Sequence, residues 1–350
     1  MTTAEPGRRR LDASASPTYE VVTRNPRVNS PGWSKRLIRG TFVAWLVSTL
    51  VAATAIVDVG APSWLWRPAA AALLVCFSLI LTHRVGGHMR IWVTLTSVLA
   101  ILAWLTGMNT LLAGAAGATA VLSAVTAVLF TEPAPTALKA LREYAVLLAL
   151  SISGAIGVAA WNANVNPRMF GLVAMLVAVV FAVATVWSLG SGLHGLNKHH
   201  LKPLAVVALV AVALFFYGSF LRTSGSATLT TFLDESIVWM RQSIVGVPRP
   251  YEFLIGFPAL IVGTSLRSRY REGWWICVLA VVGSVIVTVS LVNPAAYPSY
   301  FALSTLYSAI LGLVIGLVIR AVLMRPRGRR SARAVQLPKR VEPKRLAPLK

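Results

Sequence analysis

The stretch "VPRPYEFLIGFPALIVGTSLRSRYR", residues 247–271, decides the topology of everything that follows it. Read as a helix, residues 251–266 rise only ~24 Å, short of the ~30 Å hydrocarbon core of a bilayer. A chain that turned back there would leave "RSRYR" on the side it came from and invert every later segment. The basic residues argue for a crossing. With the N-terminal tail placed in the cytoplasm, 27 of the 33 Lys and Arg fall in tails and loops on that side. Arg67, Arg168, Arg222, Arg241 and Arg249 fall on the other, and Arg320 sits near the end of the last span. Cytoplasmic loops carry the excess of Lys and Arg in membrane proteins, so an even number of spans with both tails inside is the consistent solution. Pro258 offers no N–H and its ring crowds the Leu254 carbonyl, so the crossing helix is expected to kink between Gly256 and Pro258.

The rest of the chain fits an all-α integral membrane protein. It is 56 % hydrophobic and 13 % charged, with a mean hydropathy of +0.71, against about 45–50 % and about 25 % in soluble domains. Strand-like alternation is absent, which disfavours a β-barrel. Ten spans are expected, at 41–58, 67–82, 91–107, 110–130, 144–161, 169–189, 203–221, 252–266, 273–292 and 299–323, with a tight turn at Gly107 and Asn109. Residues 41–324 are thus a polytopic domain. The first span follows a long polar tail and reads as a retained anchor rather than a cleaved signal. The tails, 1–40 and 325–350, are poor in apolar residues and rich in Arg, Pro and Ser, a composition expected to be disordered. Much of the net charge of +22 resides in them. That charge suits anchoring to anionic lipid, or docking of an acidic cytoplasmic protein. Nucleic acid is not expected, because no aromatic stacking platform or folded reading module accompanies the charge.

Neither a metal nor a cofactor is expected. Cys76 and Cys277 lie in separate apolar segments and read as buried filler. His83 and His88, and His194, His199 and His200, occupy cytoplasmic loops beside Arg and Lys, which repel cations. Apart from Arg320 and the cysteines, no ionisable group falls deep within an expected span, which argues against a proton relay. Ser308, Gly312 and Gly316 recur every four residues and mark a close-packing face.

The candidate chemistry lies in residues 222–251, the one sizeable outside segment. Leu229, Phe232, Leu233, Met240 and Ile244 share a helical face, with Asp234 and Arg241 opposite, as in an amphipathic helix lying in the outer interface. Arg222, Arg241 and Arg249 offer donor forks to an anionic headgroup, and Glu252 or Asp234 would orient them or act as a base. The same charges also suit an interfacial helix that pairs with itself and with lipid. Asp58, after the first span, is a further acidic candidate, although its loop "DVGAPSWLW" is short and a helix-ending Asp accounts for it.

The residues "RTSGS…DESIVWMRQSIVGVPRPYEFLIGFPALIVG" resemble an uncharacterised family of polytopic bacterial membrane proteins. The match rests on Arg222 and Thr223, Glu235, Arg241, and Arg249 through Leu260, and departs at Ser224 and Tyr251. The resemblance implies an envelope role. The expected function is therefore an inner-membrane protein of cell-envelope assembly, engaging a lipid-linked or otherwise anionic glycan intermediate. A transporter or flippase lined by the broken helix, and a scaffold recruiting partners through its tails, remain open. No reaction is legible.

Overall fold

The computed structural model describes residues 35–57, 60–189, 227–269, 273–292, 297–324 and 342–349. The chain divides into Met1–Thr41, of which only the start of the first helix is described, and a second unit, Phe42–Lys350. All regular elements among the described residues are helices, and these residues contain no strand. We number the helices α1 (Lys35–Ala53), α2 (Trp66–Val85), α3 (Met89–Thr106), α4 (Asn109–Leu129), α5 (Ala137–Ala160), α6 (Pro167–Ser188), α7 (Ala227–Ile244), α8 (Phe257–Arg267), α9 (Gly273–Val289) and α10 (Pro298–Leu323). A 3-10 turn, Ser63–Leu65, leads into α2, and a π-turn, Glu252–Gly256, leads into α8.

Among the described residues, six helices are long and apolar enough to cross a membrane: the Ser63–Val85 segment, α3, α4, α5, α6 and α10. Helix α9 and the Arg39–Ala53 part of α1 are apolar but shorter. The expected span 203–221 lies outside the described residues. The largest boundary differences from the sequence reading lie in α1 and α5. Helix α1 stops at Ala53, five residues before the expected end. Helix α5 begins seven residues before the expected 144, because the Thr136 hydroxyl accepts the Lys139 N–H and caps an earlier turn.

Helices α2, α4, α5 and α9 form the middle of the bundle, and α3, α6 and α10 lie around it. The outer helices turn large apolar side chains outward, among them Leu95, Ile101, Val173, Leu176, Val314 and Val318. That distribution suits lipid rather than water. Inside, hydroxyls stitch the helices. Ser151 and Ser284 oxygens lie 2.6 Å apart, and Trp161 Nε1–H donates to Thr119 Oγ1 at 3.0 Å. Gly107, at φ 62°, ends α3 and permits the tight turn into α4. Cys76 and Cys277 are both buried.

The broken helix has a specific cause. Pro258 provides no N–H for the Leu254 carbonyl, and the turn before it widens so that the Phe257 N–H bonds Glu252 O, five residues back. At the same level Gly256 crosses Gly283 of α9 backbone to backbone, and a Cβ added at Gly283 would lie 2.8 Å from Gly256 Cα. The Ser308, Gly312 and Gly316 stripe of α10 closes the other side, with Gly312 against Phe253 and Phe257 and Gly316 against Pro258 and Ile261. Burial of charge goes further than the sequence reading, which placed only Arg320 deep within a span. Arg84, Glu143, Glu252 and Arg267 are each at most 2 % exposed.

Candidate functional site

Residues 244–252 run from α7 to the π-turn and are held against the first turns of α10. Tyr307 O–H donates to Ile244 O at 3.2 Å, Val247 N–H to Ser304 Oγ at 3.1 Å, and Arg249 N–H to Ser308 Oγ at 2.8 Å. These bonds matter because Pro248 and Pro250 keep the segment from forming a helix of its own. Fixed in this way, Arg249 places Nη1 2.8 Å from Glu252 Oε1 and its guanidinium 5.9 Å from the Phe301 ring centre. The Arg249 side chain keeps 22 % of its surface exposed, whereas Glu252 has none. Glu252 Oε2 is buried and accepts no hydrogen bond, with Ser308 beside the carboxylate. Nearby, Tyr144 crosses from α5, donating to Ala309 O at 2.8 Å and meeting Phe257 edge to face.

A carboxylate with no exposed surface cannot meet a dissolved substrate, so this geometry makes Glu252 an orienting counter-ion for Arg249 rather than a base. Arg241 is exposed on α7, with its guanidinium 5.6 Å from the Tyr300 ring, next in sequence to the Phe301 that supports Arg249. The two arginines thus share the first turn of α10. Asp234 and Glu235 are exposed on α7, and no ion pair joins Asp234 to Arg241 among the described residues. Arg222 and Asp58 lie outside the described residues. Of the residues of α7 expected on one apolar face, Phe232 and Ile244 are exposed and Met240 is partly so, and Val238 and Trp239 are exposed as well. Replacing Ser308 with Ala strips the Arg249 N–H of its acceptor. This is expected to destabilise the folded protein by about 1–3 kcal/mol, read as a lower thermal midpoint in detergent, with Ser308→Thr retaining most of the stability.

A second charged cluster was not foreseen. Arg267, fifteen residues after Glu252 and so ~22 Å along the helix axis, ends α8. There the C-termini of α2, α4, α8 and α10 meet the α4–α5 loop. Arg267 donates to Thr131 Oγ1 and O at 2.9 and 3.1 Å, stacks 3.5 Å over Trp274, and pairs with Glu342 at 2.7 Å. Arg84 donates to Leu129 O, Lys344 O and Ala347 O. Arg345 bonds Glu143 through its guanidinium and Glu132 through its backbone N–H, and Arg142 pairs with both glutamates. His83 Nε2 lies 3.0 Å from Leu346 O, while His194, His199 and His200 fall outside the described residues. Arg320, near the end of the last expected span, donates to Ser265 Oγ and Pro135 O. Residues 342–349, in the tail expected to be disordered, therefore lie docked on the end of the bundle.

Glu132 registers that docking. Partial burial, which acts to raise its pKa, is outweighed by the backbone N–H and charge of Arg345 and by Arg142, so the carboxyl is held below its ordinary value. A carboxyl with a depressed pKa stabilises the docked state at every pH above its unfolded value of about 4.3 and loses that contribution as pH falls through the folded one. A spin label at position 346, which is exposed, should therefore stay immobilised at neutral pH and loosen only under acid. Loosening near neutrality would contradict this linkage.

A third feature is a cavity of about 750 Å³ between α2, α3, α4 and α6, lined mainly by apolar side chains such as Leu95, Leu99, Val121, Phe170, Val177 and Phe181. Its size is that of an ordinary ligand site. No protein-family model matches the chain, and no curated protein or solved structure shows detectable similarity to it.

Proposed function

We propose that the chain is a bacterial inner-membrane protein of cell-envelope assembly, with ten spans and both tails in the cytoplasm. It engages the anionic headgroup of a lipid-linked glycan intermediate at its outer face, through Arg249 and Arg241. The observation that carries this reading is the Arg249–Glu252 pair. A fully buried carboxylate costs stability unless it is paired, and here it fixes one partly exposed guanidinium at a helix mouth, as a headgroup clamp requires. Tyr300 and Phe301, in the first turn of α10, each lie under one of the two arginines. The sequence from Arg249 to Leu260, which resembles that of an uncharacterised family of polytopic bacterial membrane proteins, includes this pair and the kink behind it. The reading does not extend to a reaction, because Glu252 is positioned to orient and not to exchange protons with a ligand.

The test uses Arg241→Ala, which removes an exposed side chain, and Arg249→Lys, which keeps the charge and loses the fork. Both variants should insert and accumulate normally while lipid-linked glycan intermediates change in the cells. Purified Arg241→Ala should bind an undecaprenyl diphosphate probe about tenfold more weakly, the loss of one charge-assisted bond. Unchanged intermediates together with unchanged probe binding would remove this reading. The apolar cavity favours a second one, a flippase or transporter of such a lipid, since a tail needs an apolar path while the headgroup crosses. Proteoliposomes that bind the probe but move none of it between leaflets would dispose of that alternative.

A further inference from the structure

The cluster at the far end of the bundle is assembled asymmetrically. Its walls are buried and belong to the helices and the α4–α5 loop: Arg84 and Arg267 are 1 % and 2 % exposed, and Thr131 is fully buried. What covers them is a peptide whose Lys344 and Leu346 are exposed, while the Glu342 side chain is 3 % exposed. Leu349 packs against the core and Arg345 lies over the Phe130 ring. The peptide's polar grip includes the carbonyls of Lys344 and Ala347 on Arg84, the Leu349 N–H on Arg84 O, the Glu342 carboxylate on Arg267, and the Arg345 contacts to Glu132 and Glu143. In sequence, residues 325–341 separate it from the end of α10.

Without the peptide, Arg84 keeps only Leu129 O, and Arg267 keeps only Thr131 as hydrogen-bond partners among the described residues. The nearby glutamates are already engaged, since Glu132 and Glu143 both bind Arg142. Two buried guanidinium groups, close enough for their charges to act on one another, would then lose the carboxylate that pairs with Arg267, with Glu132 left as the carboxylate acting on Arg84. Such an arrangement is strongly unfavourable unless a counter-anion enters. The present occupant also leaves capacity unused. Arg84 Nη2 is buried and donates to nothing, and Glu342 Oε1 is buried and accepts nothing. One carboxylate satisfies the site incompletely, whereas the several oxygens of a phosphate group match two arginine forks.

We propose that Arg84 and Arg267, the latter held in place by its bonds to Thr131, form a phosphate-binding site at this end of the bundle, and that Glu342 on the chain's own C-terminal segment is its resident, displaceable occupant. The segment is thus a self-ligand: a phosphate-bearing compound and residues 342–349 bind the same donors and exclude each other. The ligand chemistry is a phosphate mono- or diester, supplied either by a soluble phosphate compound or by an anionic lipid headgroup. This site is separate from the Arg249 pair and stands whether or not that pair binds a glycan intermediate.

The test uses the full chain with a spin label at Leu346→Cys, in nanodiscs of phosphatidylcholine. Inorganic pyrophosphate is titrated against sodium chloride of matched ionic strength, and parallel discs contain phosphatidylglycerol. Release of the label by pyrophosphate but not by sodium chloride identifies a soluble ligand. Release only in discs with phosphatidylglycerol identifies a headgroup. In either case Glu342→Gln should lower the concentration needed at least about tenfold, the equivalent of one lost charge-assisted bond. Where Glu342→Gln alone releases the label, retained radiolabelled pyrophosphate or phosphatidylglycerol, measured on the same protein, should rise by that factor instead. The proposal is overturned if neither phosphate source releases the label, if sodium chloride does so equally, or if Glu342→Gln leaves release and binding unchanged.

Discussion

Arg249→Ala is expected to destabilise the folded protein by about 3–5 kcal/mol, and by more than Glu252→Ala does. The two members of the pair are not equivalent. Arg249 is partly exposed and rests on Phe301, so losing Glu252 leaves a guanidinium that can turn toward solvent or lipid headgroups. Glu252 has no exposed surface and, among the described residues, no other cation bonded to it. Losing Arg249 therefore strands a buried carboxylate against Tyr144, Ser308 and the α10 backbone. The double variant Arg249→Ala, Glu252→Gln removes the stranded charge, and should recover about half of the loss. Thermal midpoints in detergent for Arg249→Ala, Glu252→Gln and the pair form a double-mutant cycle. If Arg249→Ala proved as stable as the parent, the pair would be a surface contact of small consequence.

The second large effect concerns the crossing of the π-turn with α9. Gly256→Ala is expected to lower the yield of folded protein severely, because the new Cβ meets the backbone of Gly283, which has no rotamer to yield. Overpacking that side chains can absorb typically costs about 1–3 kcal/mol. Here the contact is backbone to backbone, and relief requires the whole broken helix to move away from α9. That movement would also pull Phe253, Phe257 and Ile261 off Gly312 and Gly316. Gly283→Ala should fail in the same way. A control at Gly114, where a Cβ meets nothing within 4 Å, should be tolerated. Size-exclusion profiles of fluorescent fusions read all three. A monodisperse Gly256→Ala protein with the parental midpoint would show that the helix and α9 do not approach as described.

How much of this was legible follows from what each feature depends on. The interruption at Gly256 and Pro258 is local: one residue lacks an N–H and another lacks a Cβ, and both facts are visible in the letters. The packing use of Ser308, Gly312 and Gly316 was readable for a similar reason, since a four-residue spacing of small residues fixes a helix face whatever it meets. That Ser308 also accepts the Arg249 N–H was not readable, because it depends on how α10 lies beside residues 244–252. The Glu132, Glu143, Arg84 and Arg267 cluster was hidden for a stronger reason. Each of these residues sits at the edge of an apolar run, where a charge reads as interfacial, and the four are brought together only by tertiary packing. The adjacency of Arg142 and Glu143 just before a span was the one available clue. Residues 342–349 were judged by composition, which reports whether a segment can build a core of its own, and not whether it can lie against polar groups presented by another part of the chain.

The account rests on Arg249 and Glu252 facing the side of the membrane opposite the one that holds the docked C-terminal segment. The most direct measurement is labelling of a single cysteine at exposed position 235 on α7, with Cys76 and Cys277 replaced by Ala, using a membrane-impermeant maleimide on intact cells. The account predicts labelling without permeabilisation, while a cysteine at exposed position 346 reacts only after the cytoplasm is opened. Labelling of position 235 solely after permeabilisation would put the arginines inside the cell and contradict the proposed site.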